Sequence, residues 1–152
     1  MLFFEGLFSN ACFLSAAIAW FTAQVLKTLI HLFVTKKFVA ERLVGTGGMP
    51  SSHSATVCGL ATAVAINSGS ESIEFAIALI LAIVVMYDAL GVRRETGKQA
   101  IVINEMMQMF NNMGKEMTVE ERLKEFVGHT PLQVIAGAIL GIVVAFSVCS
   151  VI

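Results

Sequence analysis

Charged side chains are scarce in this sequence. Asp, Glu, Lys and Arg make up 14% of its 152 residues, where an ordinary soluble domain carries about 25%. Apolar residues fill 57% of the chain, and the mean hydropathy is +0.81. The missing charge points to a membrane protein. A net charge of −1 gives no basis for nucleic-acid binding, which needs a basic surface. Cysteine is also sparse. Cys12, Cys58 and Cys149 are widely spaced and lie inside apolar runs. They read as small buried hydrophobes, not as a disulfide framework or a metal site. No His/Cys/Asp/Glu cluster has ligand spacing, so neither a metal nor another cofactor is expected. Residues 1–10 hold no Lys or Arg and so lack the basic n-region of a secretory signal. There is no internal repeat and no low-complexity tract. The length suits one domain, 1–152.

What is present is a series of apolar runs. Ala11 to Val34 is long enough to cross about 30 Å of hydrocarbon and is interrupted by Lys27 and His31. Residues 1–10 either extend this helix or lie along the interface. Residues 35–52 form a polar connection with Lys36, Lys37, Glu41 and Arg42. His53 to Asn67 is shorter and rich in Ala, Thr and Gly, which suits a helix buried among other helices. Its shortness is compatible with a homo-oligomer. Residues 68–71 form a tight polar turn. Ile73 to Leu90 is long and apolar, with Asp88 at its end. Residues 91–128 are the largest polar segment. Within it Ile103, Met106, Met107, Phe110 and Met113 recur at helical spacing, which predicts an amphipathic helix over Gln99–Met113, on the membrane surface or against the bundle. Asn111 to Thr118 reads as a loop and Val119 to Phe126 as a short charged helix. Pro131 to Ile152 carries no charge and is the final span. The expected fold is all-α: a multi-pass transmembrane helix bundle of about four main helices plus an interfacial amphipathic helix.

The basic residues orient this bundle. All ten Lys and Arg lie in the first or third connection, or at Lys27 near the first. The positive-inside rule then puts both connections in the cytoplasm and both termini outside. The same topology gathers the Gly-rich turn, Asp88, Arg93, Arg94 and His129 on one face. The motifs played no part in reaching that orientation.

Several residues on that face are suited to chemistry. Gly45-Thr46-Gly47-Gly48-Met49-Pro50-Ser51-Ser52-His53-Ser54 is a Gly-rich turn that opens into a helix. Glycines let backbone approach a ligand, and the first N–H groups of a helix suit an oxyanion. Thr130-Pro131-Leu132-Gln133 reads as a capped helix start, with His129 just before it. A lone histidine beside a cap is more often structural than catalytic. Here two of three histidines sit at helix mouths on one face, which favours function. Lys27 lies about 10 Å inside its span at 1.5 Å per residue. It either snorkels or is held for an anion, and His31 shares its face. Asp88 and the basic pair Arg93-Arg94 read as an ordinary basic stop, or as a paired carboxylate beside a guanidinium that can grip phosphate. Gly137 and Gly141 form a small-xxx-small packing motif.

Pro50-Ser51-Ser52-His53 resembles the Pro-Ser-Gly-His motif of the type 2 phosphatidic acid phosphatase and vanadium haloperoxidase superfamily. Gly128-His129-Thr130-Pro131 resembles its third motif. Gly47 to Ala55, Asp88 to Arg94 and Gly97-Lys98-Gln99-Ala100 are similar to the divergent branch of small membrane proteins related to it. The resemblance runs from about Lys27 to Gly141. It implies that His129 attacks phosphorus and becomes phosphohistidine, and that His53 protonates the leaving oxygen. Ser52 occupies the glycine position of the motif, and Ser51 matches its phosphate-binding serine. Lys27 corresponds to the first-motif lysine and Arg42 to the first-motif arginine. Two positions depart from the pattern. Leu123, between Arg122 and Lys124, stands where the third motif has arginine. Gln133 stands where it has the aspartate that orients the nucleophile. Asp88, Arg93 and Arg94 are the available replacements.

The expected function is hydrolysis of a lipid phosphate or pyrophosphate monoester at the cytoplasmic face. Its catalytic residues are His129, His53 and Asp88. Its phosphate-binding residues are Lys27, Arg42, Gly47, Gly48, Ser51, Ser52, Arg93 and Arg94. The partners are the bilayer and the lipid substrate. A non-catalytic lipid-phosphate binder or carrier is the alternative, and a structural membrane protein with fossil motifs a third. Haloperoxidase chemistry finds no support beyond the shared oxyanion motifs.

Overall fold

The computed structural model describes residues 2–36, 48–112, 123 and 128–152. It contains α1 (Leu2–Phe8), α2 (Ala11–Thr35), α3 (Ser52–Ser68), α4 (Ile73–Leu90), α5 (Val92–Asn112) and α6 (Pro131–Cys149). There is no strand among the described residues. The chain is therefore an all-helical bundle.

Local chemistry sets most of the boundaries. Residues 2–10 do not extend the first span: Asn10 accepts from the Phe13 N–H at 3.0 Å and caps a new helix. Ser72 caps α4 in the same way, accepting from Phe75 N–H at 3.1 Å. α3 ends at Gly69, whose φ of +86° suits glycine. The expected cap of α6 is present in both directions: Thr130 and Gln133 satisfy each other's backbone N–H, with Pro131 in the first turn.

α3 is the hub and packs against α2, α4 and α6. The interior is made of small side chains, among them Ala19, Ala23, Ala55, Ala63, Ala82 and Ala145. The large apolar groups point outward, with Phe21 63%, Ile77 65% and Phe146 59% exposed. Such inside-out packing fits a bundle surrounded by lipid, where burying large apolar groups inside brings no hydrophobic gain. Small residues instead let backbones close. A Cβ on Gly137 would collide with the Ser51 carbonyl, and one on Gly141 with the Ala55 carbonyl. The small-xxx-small motif is thus the contact between α6 and α3.

Among the described residues three stretches are long and apolar enough to cross a membrane: Ala11–Thr35, Ile73–Phe110 and Pro131–Cys149. α3, with 17 residues, spans about 25 Å at 1.5 Å per residue. The amphipathic helix begins at Val92, seven residues before the expected Gln99, and runs through Asn112. Residues 92–98 lack apolar periodicity, but charge supports the helix: Lys98 bonds Glu95 at 2.6 Å, one turn away. The expected loop therefore cannot start at Asn111. The short charged helix over Val119–Phe126 falls outside the described residues, apart from Leu123.

Candidate functional site

Four helix ends meet at one end of the bundle. They are the last third of α2, the first turns of α3 and α6, and the junction of α4 with α5. Gly128 has a φ of +90°, and a Cβ there would collide with the backbone of Arg94. The turn into α6 therefore rests directly on the α4–α5 junction. His129 N–H donates to the Ala89 carbonyl at 3.1 Å, and the side chain is only 3% exposed.

The protonation of His129 follows from its neighbours. Gln133 Oε1 accepts from the Thr130 N–H at 3.1 Å, so the atom there is oxygen and not nitrogen. That same oxygen lies 3.2 Å from His129 Nδ1. Nδ1 must then carry the proton, which leaves the lone pair on Nε2. Burial pushes the imidazole pKa down. The bond to Gln133 opposes this, while the charges of Lys27, His53 and Arg93 add to the lowering. Burial thus favours the neutral imidazole, and Gln133 favours the tautomer with the proton on Nδ1. Gln133 faces the imidazole from the position where the third motif has aspartate, and it brings no charge.

His53 sits in the first turn of α3. Its ring centroid is 6.1 Å from that of His129, with the planes tilted by 59°. Its Nδ1 is buried and has no hydrogen-bond partner among the described residues. The Ser52 and His53 N–H groups open α3 and find no acceptor among the described residues. They make the kind of helix mouth that takes an anion. A nucleophile needs its target atom at about 3–3.5 Å, and a general acid needs about 2.6–3.2 Å to its oxygen. Both imidazoles border this one helix mouth.

Lys27 does not snorkel. It is 3% exposed, and its Nζ donates to Gln24 Oε1 at 2.8 Å and to Ser52 Oγ at 3.5 Å. Gly48, with a φ of +90°, lies against the Lys27 stem; a Cβ would come within 3.2 Å of its Cγ. Lys27 and Arg93 are both within electrostatic reach of both histidines. Arg93 Nε bonds Asp88 Oδ2 at 2.5 Å. Asp88 is thus a paired carboxylate, held by a guanidinium and not hydrogen-bonded to His53. Arg94 is exposed, and its backbone supports Gly128.

Ser51 is fully buried. Its Oγ accepts from Ser54 N–H at 3.3 Å and Ser54 Oγ at 3.0 Å, and its own N–H donates to the Gln133 carbonyl at 3.0 Å. Ser51 fastens α3 to α6, while Ser52 is the hydroxyl beside Lys27. Arg42 and Gly47 lie outside the described residues. Sequence reasoning missed Gln24 and Asn104. Gln24 holds the Lys27 ammonium; its signal was a second polar residue three positions before the lysine. Asn104 bonds the Leu123 backbone in both directions, at 3.0 and 3.1 Å. A buried asparagine on an amphipathic helix was its only trace. Among the described residues no group of His, Cys, Asp and Glu could hold a metal.

The profile of a family described as "Divergent PAP2 family" matches residues 8–144. A Bacillus subtilis (strain 168) protein, "Uncharacterized membrane protein YuiD", is 41% identical over 145 residues, covering 90% of this chain and 92% of that protein. No solved structure matches the chain. The family match spans nearly all the helices and every described site residue, and the match to the relative, which is named a membrane protein, covers almost that protein's whole length. This chain is a membrane protein of the divergent PAP2 family.

Proposed function

We propose that this protein is a membrane-embedded phosphatase acting on a lipid phosphate or pyrophosphate monoester through a phosphohistidine. The observation that carries the reading is the pair His53 and His129, 6.1 Å apart, at two helix mouths with a buried lysine beside them. His129 Nε2 attacks phosphorus, with Gln133 holding Nδ1. His53 protonates the leaving oxygen, and the anion itself supplies the negative charge that favours a protonated His53. Water then cleaves the phosphohistidine, which splits one hard displacement into two easier ones. Lys27, Ser52, the Gly47-Gly48 backbone, the α3 N–H groups and Arg93 stabilise the equatorial oxygens. Arg94 stands at the rim, Arg42 is carried over as a phosphate-binding residue by the family resemblance alone, and Asp88 acts through Arg93. On the proposed orientation the site faces the cytoplasm and both termini face out.

A second reading is a lipid-phosphate binder or carrier. One observation favours it: Gln133 supplies no charge to an imidazolium forming at His129. The test is incubation of purified protein with a panel of lipid phosphates and pyrophosphates, with released phosphate measured against His129→Ala. Turnover that disappears in the variant supports the phosphatase. Binding without turnover on any substrate replaces it with the binder. Full activity in His129→Ala would refute the mechanism.

A further inference from the structure

The end of the bundle opposite the site holds a second polar cluster, around the start of α2, the end of α3 and the end of α6. Asn67, one residue before the last of α3, has its Nδ2 3.5 Å from Cys149 Sγ and 3.9 Å from Cys12 Sγ. The same nitrogen is 2.8 Å from the Ala63 carbonyl. An amide nitrogen has two hydrogens. The carbonyl takes one, and the two sulfurs share the other. Sulfur is a weak acceptor, so neither thiol is firmly held there. Ser15, fully buried, adds one more weak contact, at 4.0 Å to Cys149 Sγ. All three thiols are partly exposed, but Cys58 sits elsewhere, against Met86 Sδ at 3.7 Å. Two cysteines 137 positions apart in sequence (149 minus 12) thus meet across one amide group.

We propose that Cys12 and Cys149 are a dithiol pair that closes to a disulfide by thiol–disulfide exchange. One thiolate attacks an external disulfide and releases one thiol, leaving a mixed disulfide on the protein. The second cysteine's thiolate then attacks that protein sulfur and releases the second external thiol. Two protein thiols are oxidised, one external disulfide is reduced to two thiols, and the protein loses two hydrogens. Closure requires that Asn67 release both sulfurs, that the two helix ends hold the Cβ atoms about 3.8 Å apart, and that rotation about each Cα–Cβ bond turn the sulfurs toward each other. The bond would tie the start of α2 to the end of α6, the two helices that carry Lys27 and border His129. On the proposed orientation the pair lies at the extracytoplasmic end, where disulfides persist. The chemistry of closure does not depend on that orientation.

The experiment uses the full-length reduced protein in detergent, incubated with oxidised glutathione and read by intact mass and peptide mapping. The expected product has lost two hydrogens, retains no glutathione and yields a linked Cys12–Cys149 peptide. After denaturation, maleimide should label one of the three cysteines, namely Cys58. Cys12→Ser should instead hold one glutathione on Cys149, because no second thiol resolves the mixed disulfide. The oxidised wild type should melt at a higher temperature than the reduced form, and Cys12→Ser should show no such rise. Glutathione retained on both wild-type cysteines, a disulfide-joined dimer, or thiols left free under conditions that oxidise the denatured chain would each overturn the pairing.

Discussion

Replacing Gln133 by Glu changes the charge at one side-chain end and very little of its shape. Gln133 accepts from Thr130 N–H and faces His129 Nδ1 at 3.2 Å. A carboxylate keeps both contacts, and the first turn of α6 tolerates negative charge. A hydrogen bond between neutral groups contributes about 0.5–1.5 kcal/mol, and one to a charged group about 1.5–3 kcal/mol. The difference, about 1–1.5 kcal/mol, corresponds to about one pKa unit at 1.36 kcal/mol per unit. The wild-type imidazole lies below its usual range because it is buried. Gln133→Glu should therefore raise it by about one unit. The same energy stabilises positive charge developing on the ring during attack, so phosphorylation should quicken by about tenfold where His129 stays neutral. Two assays check this: imidazole resonances followed against pH, and phosphate release across pH 5–8. The acid limb of the rate profile should move to higher pH with the resonance. An unmoved or lowered His129 pKa would show that Gln133 does not hold Nδ1. A moved pKa with unchanged turnover would show that orientation of His129 does not limit the reaction.

Other substitutions probe the anion site and the packing. Lys27→Met keeps the stem that packs on Gly48 and removes the charge. It should abolish the rise in melting temperature produced by vanadate, since stabilisation by a ligand follows its binding; an undiminished rise would place the anion away from Lys27. Gly141→Leu puts side-chain atoms into the Ala55 carbonyl, so detergent melts should show a loss at or above the usual overpacking cost of about 1–3 kcal/mol. Gly128→Ala meets both a φ of +90° and the Arg94 backbone, and should cost about 1–3 kcal/mol and detach the His129 turn; a wild-type melt would refute that contact. For orientation, Ser70→Cys and Lys115→Cys should label from opposite sides of the membrane, and same-side labelling would sink the proposed topology.

The apolar runs made most of the fold legible, because a helix facing lipid needs an unbroken apolar surface and leaves an unmistakable stretch of sequence. The boundaries of α4 were readable for that reason, as was the capping box of α6, which is entirely local. Legibility fails where the determining contact is remote. Near Lys27 only Gln24 hints at burial rather than snorkelling; a second contact of the lysine, Ser52, lies 25 positions later. Cys12 and Cys149 each look like filler in an apolar run, and only the packing of α2 and α6 on α3 brings them to one asparagine. Asn104 reveals its partner only through the backbone of Leu123. The start of α5 escaped for a different reason: residues 92–98 are helical through charge pairing and not through apolar spacing.

The site geometry and the membrane packing turn out to be the same contact. Gly137 has no side chain, so α6 closes on the Ser51 carbonyl. Ser51 N–H in turn bonds the Gln133 carbonyl at 3.0 Å, and the Gln133 side chain favours the His129 tautomer with the proton on Nδ1. Ser51 also caps α3, whose next two residues are Ser52 and His53. The relative position of the two histidines is therefore set by one close helix crossing. A methyl group at Gly137 has to push against backbone, which cannot rotate away as a side chain can. Gly137→Ala should separate the helix mouths, and activity should fall further than the melting temperature alone would suggest. Loss of the His53–His129 spacing can be read by trapping: a radiolabelled lipid phosphate should no longer leave acid-labile label on His129. Normal labelling in a destabilised Gly137→Ala protein would separate the crossing from the chemistry and refute this coupling.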